Sequence, residues 1–362
     1  MEKIAKFYEK INLIAPFRTA YQWDNVGLLV GDMNTEVEKV LITLDVTEKI
    51  VIYAIKNGVQ LIISHHPLMM QGIKNITQKK LLWLLENKIA LITAHTNLDV
   101  SRYGVNYTLA ETLELQNIKP LSLLTEIKQY QISVYVPDHL APEIMHAMHE
   151  AGAGIIGNYT HCATFYDTKG QFFAQKSSNP YLGQKGIIEK VKETKIEMLC
   201  EDVFLPQIIR AILKIHPYEE PLYTIIPLQQ KSPNFGMGCY GELSNNLSLN
   251  HLAAMVRAKL NAPFVKLWVA QQTKDDQVKK IAVCGGSGNS LLTEAKNKAE
   301  VYISADFTYH QFLDAPLPII DAGHFWTENV ICRKLAVLFS DFNCELMILP
   351  PQEHDIMNLS VL

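Results

Sequence analysis

Two textures of hydrophobic patterning constrain what this chain can fold into. Near both ends, short continuous apolar runs alternate with helical patterns. Val26-Gly-Leu-Leu-Val30, Val40-Leu-Ile-Thr-Leu44, Leu61-Ile-Ile and Ala90-Leu-Ile-Thr-Ala94 read as strands, with helices over residues 3–14, about 48–57 and about 76–87. After residue 231 the same texture predicts a helix over about 248–260, a strand over 264–270 and the buried strand Lys280-Ile-Ala-Val-Cys284. A helix over about 290–298, strands near 301–304 and 317–320, and a long helix from about 323 to 340 follow. Apolar strands alternating with helices predict an α/β domain whose mixed sheet carries helices on both faces. Between these stretches the pattern changes. Gln129-Tyr-Gln-Ile-Ser-Val-Tyr-Val136 alternates polar and apolar, as a half-exposed strand does. A helix near 140–151, a strand pair around 159–175, a strand near 195–201, a helix near 205–214 and a strand near 221–228 follow, an order that suits an α+β ferredoxin-like sandwich. The reading is therefore a host domain built from residues 1–125 and 231–362, interrupted by an inserted domain over 126–230.

Composition excludes some classes of function. The formal charge is −4, with Lys+Arg 33 against Asp+Glu 37, so no global basic footprint marks a nucleic-acid binder. The six cysteines, at 162, 200, 239, 284, 332 and 344, are scattered singly without a C-x-x-C pair. That argues against a thiolate zinc site and a disulfide scaffold, and for reduced thiols in a cytoplasmic protein. The opening Met1-Glu-Lys-Ile-Ala-Lys reads as the start of an amphipathic segment rather than a signal peptide. No apolar run approaches the ~20 residues of a membrane helix.

The chemistry-bearing residues cluster after strands. His65-His66 follows Leu61-Ile-Ile directly, where open α/β sheets place ligands. The competing reading is one surface and one packed histidine, at about equal weight. His95-Thr-Asn-Leu-Asp99 follows the next strand. Asp99 can serve as a metal ligand or as an ordinary turn residue, and His95 reads better as a hydrogen-bonding partner beside the site. His324 and Glu328, four apart at the start of a helix, face the same way. Alone, H-x-x-x-E recurs by chance. Together these pieces supply imidazoles and carboxylates without sulfur, a set suited to Zn, Fe, Mn, Co or Ni rather than Cu(I). Five side-chain ligands exceed the usual three of one open catalytic zinc and suffice for two metals if a carboxylate bridges.

The chain resembles the NIF-three-like family, catalogued as GTP cyclohydrolase I type 2 homologues. The resemblance rests on Trp23-Asp-Asn-Val-Gly-Leu-Leu-Val-Gly31, Ile63-Ser-His-His-Pro67, His95-Thr-Asn-Leu-Asp99, Ser304-Ala-Asp-Phe-Thr-Tyr-His310 and Asp321-Ala-Gly-His324 through Glu328. It implies a dinuclear metal centre held by His65, His66, Asp99, His324 and Glu328, with Glu328 bridging and His95 beside the site. It also implies a toroidal homohexamer and, in longer members, an inserted domain similar to the PII and CutA folds. Ala305 stands where the family usually has glycine, before Asp306; Asp306 and His310 are read as lying beside the site or facing substrate, or as structural.

Two divalent ions bring +4, and Asp99 and Glu328 return −2. The remaining +2 favours a bound hydroxide and a small anionic substrate. The leading expectation is metal-assisted hydrolysis, with His95 as the proton-handling catalytic residue. The family label implies GTP as the substrate; nucleotide or phosphoester hydrolysis uses the same pair of ions. The rival expectation is a metal-binding hexameric scaffold or regulator without turnover, and a nucleic-acid partner is disfavoured by charge. Cys284-Gly-Gly-Ser-Gly-Asn-Ser290 lacks a Walker lysine and reads as a tight turn, with substrate contact as the alternative. In the insert, Ile215-His-Pro-Tyr-Glu-Glu-Pro221 offers His216, Glu219 and Glu220 as a second metal set but reads better as a connection stiffened by Pro217 and Pro221, without catalysis.

Overall fold

The computed structural model describes residues 1–69, 75–124, 126–269, 277–350 and 353–358. The last residue of the strand expected over 264–270, and residue 125 at the expected domain boundary, lie outside the described residues. The chain divides into two compact units: Met1–Leu123 with Asn234–Leu362, and Leu124–Pro233.

The first unit contains two large sheets where the sequence pattern suggests one. The five-stranded sheet runs in the order Glu345–Ile348, Lys39–Thr43, Leu61–Ser64, Ala90–Thr93, Gly27–Val30. Its first four strands are parallel and the last is antiparallel. The central strands are buried on both faces, which explains their unbroken apolar runs. Ile42, Leu61 and Ile63 pack with Phe7, Leu335 and Phe339. Leu41, Ile62 and Leu91 pack on the opposite face with Ile50, Val51 and Leu84. The period of two is what divides them. Thr47 starts the crossover helix Glu48–Lys56 by accepting the Ile50 N–H.

The six-stranded sheet runs Lys266–Trp268, Ile319–Asp321, Val301–Ala305, Gln277–Ser287, Gly236–Ser248, Gln116–Leu123. Val301–Ala305 is parallel to both of its neighbours, and the other pairs are antiparallel. Each sheet borrows a strand from the far part of the chain. Glu345–Ile348 joins Lys39–Thr43, and Gln116–Leu123 joins Gly236–Ser248. Neither borrowed strand was evident from periodicity. Both lie at a sheet edge, and Gln116–Leu123 carries Asn117, Lys119 and Pro120, as edges tolerate. The expected long helix is two, His324–Glu328 and Val330–Leu338, parted at Asn329.

The second unit has the order β-α-β-β-α-β: Lys128–Val136, Ala141–Glu150, Thr164–Phe173, Ile188–Glu201, Leu205–Ile215, Tyr223–Lys231. Its four antiparallel strands lie fourth, first, third, second across the sheet, the ferredoxin-like arrangement. The pair expected around 159–175 is one strand, Thr164–Phe173, whose partner is the longer Ile188–Glu201. Ile132, Val134, Val136, Ile196 and Met198 are buried, as are Ile144, Met148, Ile208 and Ile212 of the helices. Among the described residues no helix is long and apolar enough to cross a membrane, and all six cysteines are free thiols.

Candidate metal centre

The chemistry collects where strands of both sheets in the first unit end. His65 and His66 follow Leu61–Ser64, His95 follows Ala90–Thr93, and Asp99 sits on the short helix Thr96–Val100. From the second sheet, Ile319–Asp321 leads through Gly323 to His324 and Glu328, which lie one helical turn apart. Carboxyl ends of parallel strands are the usual ligand-binding edge of α/β sheets.

The five expected metal ligands and His95 meet there. Neighbouring imidazole centroids lie 5.1 Å apart for His65–His66 and for His65–His95, 5.6 Å for His66–His95, and 5.3 Å for His66–His324. Glu328 stands between two sets of ligands. Its Oε2 lies 2.9 Å from His66 Nε2 and 3.0 Å from His324 Nε2. Its Oε1 lies 3.9 Å from His65 Nε2, which is itself 3.5 Å from Asp99 Oδ1. Three overlapping sets of ligand atoms result, each within 4.8 Å of one another: His65–Asp99–Glu328, His66–His324–Glu328 and His65–His66–His95. His95, expected beside the site, thus offers a ligand atom of its own.

Each imidazole is held from behind through Nδ1. His65 Nδ1 pairs with the Ala94 carbonyl at 2.9 Å, His66 Nδ1 with Asp45 Oδ1 at 2.7 Å, His95 Nδ1 with Asp24 Oδ1 at 3.0 Å, and His324 Nδ1 with Asp306 Oδ2 at 2.6 Å. An oxygen acceptor on one ring nitrogen fixes the tautomer and turns the other nitrogen, with its lone pair, toward a metal. Asp24 is anchored in turn by the Thr96 amide and hydroxyl, 3.0 and 2.5 Å from Oδ2. Sequence reasoning left Asp306 between a place beside the site and a structural role, gave Asp24 no role of its own, and missed Asp45. The missed signal was position: Asp45 follows the parallel strand Lys39–Thr43 at the same sheet edge as the histidines. Asp306 adopts φ 62°, a left-handed conformation that Asp tolerates better than most residues.

Protonation across these side chains is uneven. Burial drives His65 down to about 3, so it is neutral. Burial, then the adjacent Glu328 carboxylate, raise Asp99 well above its ordinary range. For His66 burial is overcome by Asp45 and Glu328, which lift it to about 10. Glu328 and Asp306 likewise outweigh burial at His324 and lift it to about 9. Burial opposes ionisation of Glu328, but the imidazoles of His324 and His66 hold it well below its usual range. Asp24 falls to about 2 because His95 and Thr96 outweigh its burial.

His65 Nε2 and Asp99 Oδ1 are buried and make no hydrogen bond. Two orphaned lone-pair atoms that face each other are costly unless something is shared between them. A divalent cation satisfies both, and the oxygen and nitrogen donors suit the metals expected from the sequence. The residues present fit the group.

The glycine turn Gly285–Gly288 has a packing role here. A Cβ on Gly286, at φ +62°, would collide with Glu328 Oε1, and one on Gly285 would come 3.1 Å from Glu328 Cγ. The Gly285 amide donates to Asn106 Oδ1 and the Gly286 amide to Thr327 Oγ1. With those donors engaged, neither is left to cradle a phosphate, and the turn serves close approach to Glu328.

Known proteins resemble this chain over nearly its whole length. The family model described as Duf34/NIF3 (NGG1p interacting factor 3) matches residues 2–353. A Bacillus subtilis protein named "GTP cyclohydrolase 1 type 2 homolog" is 34% identical over 352 residues, covering 94% of this chain and 93% of the relative. Among solved structures, a Bacillus cereus protein related to NIF3 superposes with TM-score 0.79 at 34% identity, covering 96% of each chain. A Staphylococcus aureus protein superposes with TM-score 0.68 at 30% identity, covering 100% of this chain and 99% of that one.

Proposed function

The chain belongs to the Duf34/NIF3 family, and from that premise we propose that its first unit is a dinuclear-metal-dependent hydrolase acting on a small anionic substrate such as a nucleotide. One observation carries this reading: the two oxygens of a single buried carboxylate, Glu328, face two different ligand sets. A carboxylate so placed would offer one oxygen to each of two cations. His65 and Asp99 would hold one ion and His66 and His324 the other. When bound, the ions supply Lewis acidity and lower the pKa of a coordinated water toward ~7.

This chain's own residues do the rest. Asp45, Asp306 and the Ala94 carbonyl keep three imidazoles in the tautomer that binds metal. His95, steadied by Asp24 and half-buried at the rim, is positioned to take a proton from the attacking water and return it to the leaving atom. The charge left after Asp99 and Glu328 are counted favours an anion. The name of the Bacillus subtilis relative makes GTP the first substrate to try. For GTP the reaction is hydrolytic opening of the guanine ring, in which water adds at a ring carbon and a C–N bond breaks. We extend the proposal to a homohexameric ring and to a PII/CutA-like inserted unit, the latter supported by its ferredoxin-like strand order.

The test is elemental analysis together with turnover. Two ions per chain, hydrolysis of GTP or of another member of a nucleotide panel, and loss of activity in His65→Ala with the oligomer intact are the expected results. Two ions with no turnover of any nucleotide would leave a metal-binding scaffold and overturn the enzyme.

A further inference from the structure

The inserted unit holds a cavity of about 560 Å³ lined wholly by its own residues, within the ~300–1,000 Å³ span of small-molecule sites. Tyr135, Tyr181 and Tyr218 line it with aromatic rings, while three carboxylates, Glu193, Glu219 and Glu220, face a single lysine, Lys169. An excess of acids on a surface would mean little. Glu193 is different, because it is only 8% exposed.

Strand register explains its position. Tyr135 pairs with Lys195 and Val134 with Ile196. Glu193, two residues before Lys195, therefore projects with Tyr135 from the face opposite the apolar layer of Val134 and Ile196. Glycine at position 170 leaves room for it, since a Cβ there would collide with Glu193 Oε2. A carboxylate this deep is costly unless a positive charge faces it. Among the described residues no ion pair includes Glu193. Lys195, on the same face, is engaged by Glu197 at 2.7 Å. His216, which senses Glu193, is pushed down by burial and stays neutral, with Nε2 on the Tyr135 carbonyl. The phenol of Tyr218 adjoins the carboxylate and brings no charge. Glu219 is partly engaged by the Asn179 amide at 2.9 Å.

We propose that this cavity binds a small organic cation, a primary ammonium or guanidinium on a short apolar body, with Glu193 taking the charge and the tyrosine rings the body. Tyr181 and Tyr218, with centroids 6.3 Å apart and planes inclined by 48°, present π-faces of the kind that attract such cations. A bare metal ion would use the carboxylates and leave the aromatic wall without a role.

Calorimetric titration of the full-length protein tests this with benzylamine and agmatine, against benzyl alcohol and benzoate as neutral and anionic controls. Benzylamine is expected to bind at least about 10-fold more tightly than benzyl alcohol, with benzoate not binding. Glu193→Gln is expected to weaken benzylamine about 10-fold or more, as loss of a charge-assisted contact does. Tyr181→Ala should weaken it about 3- to 10-fold, and Glu143→Gln, on the helix Ala141–Glu150, should leave it unchanged. If Glu193→Gln fails to fold by circular dichroism, the Tyr181→Ala titration decides. Absence of amine binding, equal affinity for the alcohol, or a folded Glu193→Gln or Tyr181→Ala variant with unchanged affinity would overturn the proposal. A cavity closed by a second copy of the chain would appear as the first of these.

Discussion

The two flanks of Glu328 are built differently. On one flank, the His65 side chain is 0% exposed and Asp99 13%. The polar atoms there are orphaned, and His65 is already neutral. On the other, His66 is 23% exposed and His324 39%, and both rings are held in the charged form by carboxylates. The inner flank holds at most the Asp99 proton and is dry, so an ion there replaces a desolvation penalty. The outer flank is open and backed by Asp45 and Asp306, so an ion there must displace protons and competes with solvent. We expect a tightly held inner ion and an exchangeable outer one.

The largest expected effect comes from removing what the flanks share. Glu328→Gln should weaken both ions by more than about 100-fold, beyond the ~10–100-fold typical of losing a partner behind a ligand. Metal content after gel filtration checks it, and retention of one full equivalent would show that Glu328 does not bridge. Next come the single-flank changes. His65→Ala should leave one exchangeable ion per chain, and His324→Ala one that resists chelators; identical behaviour of the two variants would erase the distinction.

Much of this centre was legible because its parts are local. His65-His66 directly after an apolar strand, His95 with Asp99 after the next, and His324 with Glu328 one turn apart are short-range patterns whose geometry follows from strand and helix periods. What stayed hidden depends on distant pairing. Asp45 is a lone acid after a strand, and only the parallel register of Lys39–Thr43 beside Leu61–Ser64 brings it behind His66. The division of the first unit into two sheets was illegible for the same reason. Glu345–Ile348 and Gln116–Leu123 are edge strands whose partners lie far away in sequence. The glycine turn could be read as tight, but not that its tightness makes room for Glu328.

A smaller effect sharpens the contrast. Asp306→Asn removes the charge behind His324 and should weaken the outer ion ~10–100-fold while leaving the inner one unchanged. Competitive titration against a chelating dye separates the two. The pH dependence separates the two flanks further. Below about 9 both His66 and His324 carry protons that the outer ion must displace. Its affinity should therefore rise by roughly 100-fold per pH unit between pH 7 and 9, and flatten above about 10. The inner ion meets a neutral His65 and displaces at most the Asp99 proton, so its affinity should rise by no more than roughly 10-fold per unit. Equal slopes for the two ions would contradict the assignment of charge.

The bridging role of Glu328 is tested most directly by anomalous X-ray scattering from metal-loaded crystals. The account predicts two peaks per chain, one between Glu328 and the His65–Asp99 pair and one between Glu328 and the His66–His324 pair. A single peak, or two peaks on the same side of that carboxylate, would contradict it.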